Sequence, residues 1–200
     1  MREVYGRRDF AIIGELVEPG TRVLDLGCGD GDLLAWLKEH KDVDARGVER
    51  SGSRVQKAIA RGVSVYQGDF ESALVDYPDQ AFDYVILSRT LQETRYPLQV
   101  LQEMLRIGRR GIVAFPNFGH YGVRLSMLRS GHAPKTELFP HDWWDSPNIH
   151  FFTVQDFENL AHRQHWNLER RIFLSGPRQV KWLPNLMAEI AVYLVSSNPS

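Results

Sequence analysis

The sequence predicts an α/β fold with one mostly parallel, seven-stranded sheet and helices on both of its faces. Short apolar runs alternate with helical patterns, and the connections between them are short. A glycine-paced turn follows the first apolar run, at the kind of strand end where open α/β sheets bind nucleotides. Composition is ordinary, with 43% hydrophobic and 24% charged residues, so we predict a single domain over residues 1–200.

The predicted strands are short runs of apolar and β-branched residues that end at turn signals. Five of them belong to the alternating part and cover about residues 23–26, 44–49, 63–67, 82–88 and 111–115. The last two cover about residues 168–174 and 190–195, and a loop with two prolines joins them. We expect this last pair to run antiparallel at one edge of the sheet.

Helical spacing of apolar residues predicts the helices between these strands. The first is predicted over residues 4–17 and the second over about residues 32–39. Ser53 with Gln56 resembles a capping box for the third helix. Gly62 is placed to end that helix, because glycine readily adopts the left-handed conformation found after helix termini.

The alternation of strand and helix stops after the fifth strand. Residues 117–152 form a long insertion rich in His, Pro, Trp and Gly, with one helix predicted over residues 123–128. A helix capped by Thr153, with Asp156 three positions later, is predicted to follow. Because a long aromatic connection at the carboxyl edge of a sheet is typical of active-site lids, we interpret this insertion as a lid or cap.

The charge balance and the single cysteine exclude several classes of protein. A formal net charge of −1 provides no basic field for binding nucleic acid or an anionic membrane surface. The amino terminus carries charges where a signal peptide needs an apolar run, and the late apolar segment over residues 186–195 is too short to span a bilayer. With one cysteine no internal disulfide can form, and we expect a cytoplasmic protein.

The turn after the first strand contains three alternating glycines, Gly27, Gly29 and Gly31. They allow a tight turn and a close approach of a ligand to the backbone. A dinucleotide fingerprint of the form G-x-G-x-x-G would need its third glycine at position 32, where the sequence has Asp32. This departure disfavours a nicotinamide dehydrogenase.

Acidic residues surround this turn, at Asp25, Asp30 and Asp32. Acids at a helix amino terminus complement the helix dipole and would repel a pyrophosphate. S-adenosylmethionine lacks phosphate and carries a sulfonium and an ammonium group. The acidic turn therefore favours S-adenosylmethionine as the ligand.

Acids also end the next two strands, in register with the glycine turn. Glu49 lies 22 residues after Gly27, where a carboxylate can accept hydrogen bonds from both ribose hydroxyls. Asp69 is placed to receive the adenine amino group, although Gly-Asp is also an ordinary turn pair. The predicted residues for S-adenosylmethionine or S-adenosylhomocysteine are Asp25, Gly27, Cys28, Gly29, Gly31, Glu49, Arg50, Gly68, Asp69, Phe70, Ser88 and Leu91. Cys28 is interpreted as a small filler, because no neighbouring histidine is visible to activate its thiol.

This glycine-and-acid pattern resembles the class I S-adenosylmethionine-dependent methyltransferases, which have a Rossmann-like fold. Segments at residues 87–92, 104–110, 115–120 and 146–150 narrow the resemblance to the methionine biosynthesis protein MetW family, over nearly the whole chain. The sequence has Arg89 at a position where this family is expected to have glutamine. The difference would affect either the adenine-side wall of the site or a contact with a partner.

The resemblance implies a role in bacterial methionine synthesis, beside a homoserine O-acyltransferase of the α/β-hydrolase type. It implies no methyl acceptor. Two hypotheses follow: a protein that binds S-adenosylmethionine and acts with that partner, or an active small-molecule methyltransferase.

Three histidines of the insertion are candidates for a catalytic base or for hydrogen bonds that hold the insertion. His141 precedes two tryptophans and is interpreted as part of a packing plug. His120 and His150, each beside a turn near the exit of the fifth strand, are preferred over His141 as the catalytic base of a methyltransferase, and no catalytic residue is assigned on stronger grounds. Their spacing does not match a metal-binding motif, so no metal site is predicted.

Overall fold

Eight strands form one sheet in a computed structural model of the chain, which describes residues 8–136 and 138–197. The strands are β1 (Arg22–Leu26), β2 (Asp44–Glu49), β3 (Ser64–Gln67), β4 (Phe82–Ser88), β5 (Gly108–Pro116), β6 (Trp166–Ser175), β7 (Arg178–Gln179) and β8 (Ile190–Ser197). The helices are α1 (Arg8–Leu16), α2 (Asp32–Lys41), α3 (Gly52–Ala60), α4 (Phe70–Ala73), α5 (Pro97–Ile107), α6 (Tyr121–Ser130), α7 (Val154–Arg163) and α8 (Pro184–Met187). Short 3-10 turns cover Leu74–Asp76 and Leu91–Glu93.

The order of strands across the sheet is β3-β2-β1-β4-β5-β8-β6-β7. The first five strands of this order run parallel, and β8, β6 and β7 continue the sheet antiparallel. These pairings confirm the α/β prediction and the antiparallel closing pair. The predicted number of seven strands was wrong, because the two residues of β7 pair with Leu174 and Ser175 in a hairpin too short to show a strand pattern.

Helices pack on both faces of the sheet, as predicted, because successive strand residues point to opposite sides. On β1, Leu24 belongs to a core cluster with residues of α5 and α7. Its neighbour Val23 belongs to a second cluster with residues of α1, α2 and α3. Both side chains are fully buried. The central parallel strands are thus covered on two sides, and only their ends remain available for a ligand.

Several predicted element boundaries agree with the structure and others do not. β2 and β4 have the predicted bounds, whereas predicted helix residues 4–7 lie outside the described residues. The capping box at Ser53 was wrong: the N-cap residue of α3 is Ser51, two residues earlier, and its hydroxyl contacts Ser53 Oγ at 3.0 Å. Gly62 has a φ of 77° just beyond the end of α3, and Thr153 forms the predicted capping box with Asp156.

Residues 117–152 leave the sheet after β5 and return at α7, and one buried side chain joins their two ends. Asn117 Oδ1 accepts hydrogen bonds from the amides of Gly119 (3.0 Å) and Val154 (3.2 Å). Its Nδ2 donates to the carbonyls of Asn185 (3.1 Å) and Ala188 (2.8 Å). Asn117 is fully buried, so all four bonds are shielded from water.

The last part of this insertion lies against the loop that follows β4. The amides of Ile149 and His150 both donate to the carbonyl of Gln92, at 2.8 and 3.0 Å. These bonds place residues 147–150 above the carboxyl edge of the sheet. No helix within the described part of the chain is long and apolar enough to cross a membrane.

Candidate functional site

A cavity of about 500 Å³ lies at the carboxyl ends of β1, β2, β3 and β4. Its walls include the predicted ligand residues Gly27, Gly29, Glu49, Arg50, Gly68, Asp69, Phe70 and Ser88. The predicted residues Asp25, Cys28, Gly31 and Leu91 do not line it. Eight further residues line it. Arg89 and Thr90 follow Ser88 on the wall after β4, and the other six had no place in the predicted site: Arg54, Glu71, Glu93, Arg95, Pro147 and Ile149. Pro147 and Ile149 belong to the insertion, so the insertion contributes to the cavity wall, as the lid interpretation predicts.

The glycine turn has the backbone conformation that only glycine adopts without strain. Gly27, Gly29 and Gly31 have φ values of 77°, 58° and 79°. A Cβ on Gly31 would lie 2.7 Å from the Cβ of Ala58, so this glycine allows α3 to pack against the turn. Gly29 has open space around its Cα and lines the cavity. Gly27 allows close packing as well, since a Cβ there would lie 2.9 Å from Thr90 Oγ1, so only Gly29 of the three glycines is free of such contacts.

The carboxylate of Glu49 is fixed beside the glycine turn by two backbone donors. The Gly29 amide donates to Glu49 Oε2 at 3.0 Å, and the Ser51 amide donates to Oε1 at 2.8 Å. Glu49 is 7% exposed and lines the cavity. Because each carboxylate oxygen can accept more than one hydrogen bond, the group retains capacity for two donors from a ligand. Its orientation is set before any ligand binds.

The acids of the turn point away from the cavity, contrary to the interpretation that they face the ligand. Asp30 Oδ2 lies 3.0 Å from Lys57 Nζ, and Asp32 Oδ1 lies 3.0 Å from Arg61 Nε. Neither acid lines the cavity. Because α3 and the residue after it supply these cations, the charge of the two acids is already balanced. The third acid of the turn, Asp25, is buried within β1.

Asp69 and Glu71 organise the wall beyond β3. Asp69 Oδ1 accepts a hydrogen bond from the Glu71 amide at 3.0 Å and so caps α4. This role agrees with the alternative interpretation of Asp69 as an ordinary turn residue. It also lines the cavity. The Glu71 carboxylate accepts hydrogen bonds from the amides of Arg95 (2.8 Å) and Tyr96 (3.2 Å). The loop after β4 is therefore attached to α4 through one side chain.

Arg89 lines the cavity and contacts the first helix. Its Nη2 donates to Asp9 Oδ1 at 3.0 Å, and Ser88 Oγ donates to Asp9 Oδ2 at 2.8 Å. Arg89 has a φ of 57°, unusual for a residue with a side chain. Its amide donates to the Ala114 carbonyl at 2.7 Å, and its carbonyl accepts from Gln92 Nε2 at 2.6 Å. These bonds hold a strained backbone at the cavity wall.

Cys28 fills space beneath the turn, as the filler interpretation predicts. A Cβ added to Gly47 on β2 would lie 2.5 Å from Cys28 Sγ, so the thiol occupies the place that a larger residue at position 47 would need. Burial, with smaller contributions from Asp25 and Glu49, raises the pKa of the Cys28 thiol to about 12. The thiol is therefore protonated at neutral pH and is a poor nucleophile.

The candidate histidines lie outside this cavity. His120 is 8% exposed, and its Nδ1 accepts a hydrogen bond from the Gly122 amide at 3.2 Å, so the proton of the neutral ring is assigned to Nε2. Burial lowers the pKa of His120. His150 lines a different, apolar cavity. Among the residues that the structure describes, no group of three or more His, Cys, Asp or Glu side chains is placed to hold a metal ion.

The packing plug predicted around His141 is not formed. Trp143 and Trp144 are 76% and 69% exposed, and their rings contact each other at a centroid distance of 5.6 Å. The stretch has no regular secondary structure that would hold these rings against the core. Its aromatic composition was therefore not enough to predict burial.

Solved structures with low sequence identity share the fold. A SAM dependent methyltransferase from Archaeoglobus fulgidus superposes with a TM-score of 0.71 at 15% identity, covering 98% of this chain and 94% of that one. The [4+2]-cyclase SpnF superposes with a TM-score of 0.69 at 15% identity, covering 96% and 82%. These likenesses show that the chain has the class I S-adenosylmethionine-dependent methyltransferase fold, and at such identities they show the fold alone.

Sequence comparison identifies the family. A relative from Rhodopirellula baltica, the bifunctional methionine biosynthesis protein MetXA/MetW, is 34% identical over 197 residues. The alignment covers 92% of this chain but 32% of that protein, so the chain spans about a third of its relative's length. The profile of the family described as "Methionine biosynthesis protein MetW" matches residues 7–195. The chain therefore belongs to the MetW family of methionine biosynthesis proteins.

Proposed function

We propose that this chain binds S-adenosylmethionine or S-adenosylhomocysteine in the cavity and acts in methionine biosynthesis beside a homoserine O-acyltransferase of the α/β-hydrolase type. Family membership supports the pathway, and the methyltransferase fold supports the ligand. The relative from Rhodopirellula baltica is named as a bifunctional MetXA/MetW protein, which supports the proposal that MetW acts beside a MetXA-type partner.

The observation that carries the ligand proposal is the position of the Glu49 carboxylate. The sheet order β3-β2-β1-β4 places four strand ends in a row along the cavity. Asp69 lies at one end of the row, Glu49 next to it, then the glycine turn, and Ser88 at the other end. In this arrangement the adenine lies near Asp69, the ribose hydroxyls donate to Glu49, and the sulfonium and amino-acid part lies near Gly27 and Ser88.

We also propose that residues 117–152 act as a lid over this ligand. Pro147 and Ile149, which belong to this segment, line the cavity together with the residues of the strand ends. The segment that carries them is attached through the two bonds to the Gln92 carbonyl, so a small shift of the loop after β4 would move it. Lid closure over a bound ligand excludes water from the site.

Binding without methyl transfer is our first hypothesis. No histidine lines the cavity among the described residues, and the carboxylates of Glu49, Asp69 and Glu71 already accept backbone hydrogen bonds. The solved structure described as a [4+2]-cyclase illustrates that this fold also occurs in a protein named for another activity. S-adenosylmethionine derives from methionine, the product of the pathway, so its binding would signal the level of that product to the partner. This requires the partner to bind the chain with different affinity when the ligand is present and when it is absent.

One residue favours an active methyltransferase as the second hypothesis. Glu93 is a solvent-exposed residue of the cavity wall, and desolvation of its carboxyl group, partly offset by the charges of Arg54 and Arg50, raises its pKa. A carboxylate with a raised pKa is a better general base near neutral pH. Formation of S-adenosylhomocysteine with any of a panel of pathway metabolites, lost in Glu93→Gln, would support this hypothesis.

Calorimetric titration with S-adenosylmethionine tests the ligand proposal. Glu49→Ala removes the acceptor of two charge-assisted hydrogen bonds, so we expect affinity to fall at least about tenfold. Glu39→Ala, at an exposed position on α2, is the control and should bind like the original chain. Equal affinity of the Glu49→Ala variant would contradict the ribose position.

Co-purification with homoserine O-acyltransferase, with and without S-adenosylhomocysteine, tests the partner proposal. We expect a complex whose stability differs between the two conditions. Absence of a complex in both conditions would overturn the partner proposal, while the titration above would still judge the ligand proposal.

A further inference from the structure

The loop after β4 has a strained residue on the wall of the cavity. Arg89 has a φ of 57°, and two short hydrogen bonds hold its backbone: its amide donates to the Ala114 carbonyl at 2.7 Å, and its carbonyl accepts from Gln92 Nε2 at 2.6 Å. A residue with a side chain rarely adopts this conformation, and such strain is concentrated at active sites and ligand contacts. The strain therefore points to a role for Arg89 toward a ligand.

Residues 88–90 adjoin the part of the cavity proposed for the amino-acid end of the ligand. A Cβ on Gly27 would lie 2.9 Å from Thr90 Oγ1, so the residue after Arg89 packs directly against the glycine turn. Ser88, the residue before Arg89, is the last of β4, and both Ser88 and Arg89 line the cavity. Arg89 therefore lies beside the place proposed for the α-amino and carboxylate groups of the ligand.

A buried carboxylate fixes the guanidinium of Arg89. Asp9 is fully buried, and its two oxygens accept hydrogen bonds from Arg89 Nη2 at 3.0 Å and from Ser88 Oγ at 2.8 Å. The Arg89 side chain is 35% exposed, so the positive charge is not enclosed by the fold. Arginine carries five N–H donors in a planar fork that matches a carboxylate. One guanidinium can therefore contact Asp9 and a ligand carboxylate together.

The structure describes three other arginines on the cavity wall, and they follow different strands. Arg50 and Arg54 come after β2, the strand that ends in Glu49. The amide of Arg95 donates to a carboxylate of α4, the helix after β3, at 2.8 Å. The ends of β2 and β3 are the positions proposed for the ribose and the adenine. This leaves Arg89 as the arginine at the strand end proposed for the amino-acid part.

We propose that Arg89 determines specificity, because its guanidinium binds the carboxylate in the amino-acid part of S-adenosylmethionine or S-adenosylhomocysteine. The site then prefers ligands that carry a complete α-amino acid over adenosine compounds that lack the carboxylate. The assignment rests on the proposed function, since it requires that the cavity hold one of these two ligands.

Calorimetric titrations with S-adenosylhomocysteine and with its decarboxylated form test this role, since the two probes differ only in the carboxylate. We expect the original chain to bind S-adenosylhomocysteine at least about tenfold more tightly, as a charge-assisted hydrogen bond predicts. In Arg89→Gln this preference should fall at least about fivefold, because S-adenosylhomocysteine binds more weakly. Arg89→Lys keeps the charge without the planar fork and should show an intermediate preference.

Arg54→Gln is the matched control, because it removes an arginine of the same cavity from α3. It should change the affinities for the two probes by the same factor, so that the preference stays unchanged. Urea unfolding of each variant establishes that it is folded under the conditions of the titration. Damage to the cavity wall weakens both probes alike, so the preference separates a contact with the carboxylate from support of the wall.

An unchanged preference in Arg89→Gln would overturn the role of Arg89. An equal loss of preference in Arg54→Gln would assign the effect to the overall charge of the cavity and would overturn it as well. If the original chain binds both probes equally well, the ligand proposal stands and the role of Arg89 alone fails. If neither probe binds to the original chain, the proposed function fails and the role of Arg89 fails with it.

Discussion

The carboxylate of Asp9 is fully buried and accepts a hydrogen bond from the Arg89 guanidinium at 3.0 Å. The two residues are 80 positions apart in the chain. Their contact attaches α1 to the residue that follows β4, where Arg89 also lines the cavity. Arg89 stands where the family resemblance led us to expect glutamine. The structure shows that this departure concerns both the cavity wall and the position of the first helix.

Arg89→Gln should lower the free energy of unfolding by about 1–3 kcal/mol, because it weakens the neutralisation of a buried carboxylate. The effect should lie in the lower part of this range, since Arg89 is about a third exposed. Urea unfolding measures it. Arg46→Gln removes a surface ion pair with Asp44 and should cost no more than about 1 kcal/mol. Equal costs for the two variants would contradict the importance of the Asp9 contact.

Gly31→Ala should destabilise the chain more than Gly20→Ala. Both glycines have φ near 75°, so each alanine costs about 1–2 kcal/mol in backbone strain. At Gly31 the added Cβ would also lie 2.7 Å from Ala58 Cβ, which adds about 1–3 kcal/mol of overpacking, whereas Gly20 has open space. Thermal and urea unfolding of the two variants should show this difference. Similar losses would mean that α3 moves aside easily.

Cys28 should react with iodoacetamide slowly in the folded chain and rapidly in urea at about pH 8.5, because its thiol is protonated and buried in the fold. Rapid labelling of the folded chain would contradict the raised pKa.

The same pKa predicts a loss of stability in alkali. Folding raises the pKa of Cys28 from 9.0 to about 12, so between these values the unfolded chain releases a proton that the folded chain keeps. The free energy of unfolding should therefore fall as pH rises through this window. Cys28→Ala should show a smaller fall in urea titrations over the same range.

His120 should make stability fall in mild acid. Burial lowers the pKa of His120, so below about pH 6.5 the unfolded chain binds a proton that the folded chain does not. Stability from this group is fully present above that pH and decreases as pH falls. His120→Asn retains an N-cap acceptor for α6 and should remove this pH dependence. His132→Asn, at an exposed position, is the control, and the same response from both variants would contradict the assignment.

The regular elements could be predicted because their patterns are local. The runs that form β2 and β4 combine apolar periodicity with turn signals at both ends, and the structure has the predicted bounds. The two residues of β7 carry no such pattern, since they become a strand only by pairing with β6. The N-cap residue of α3 could not be predicted for a similar reason. Ser51 and Ser53 both lie near the start of the helix, and the local sequence does not distinguish them.

The site could be predicted in part, for a related reason. Glu49 is the last residue of β2 and Asp69 follows β3, and parallel strands bring their carboxyl ends to one edge of the sheet. The direction of Asp30 and Asp32 depended instead on Lys57 and Arg61, whose positions follow from how α3 packs. Ile149 reaches the cavity through a long irregular return of the chain, and no periodic signal in the sequence predicts such a path.

The hydrogen bonds of Asn117 have a consequence for how the chain can vary in length. Because one side chain joins the amides of Gly119 and Val154, the residues between them begin and end at nearly the same place on the sheet. Deletions or insertions within such a loop change its closure entropy only slowly with length. The region could thus be exchanged or resized, and the surface it presents altered, with the sheet and its strand ends left in place.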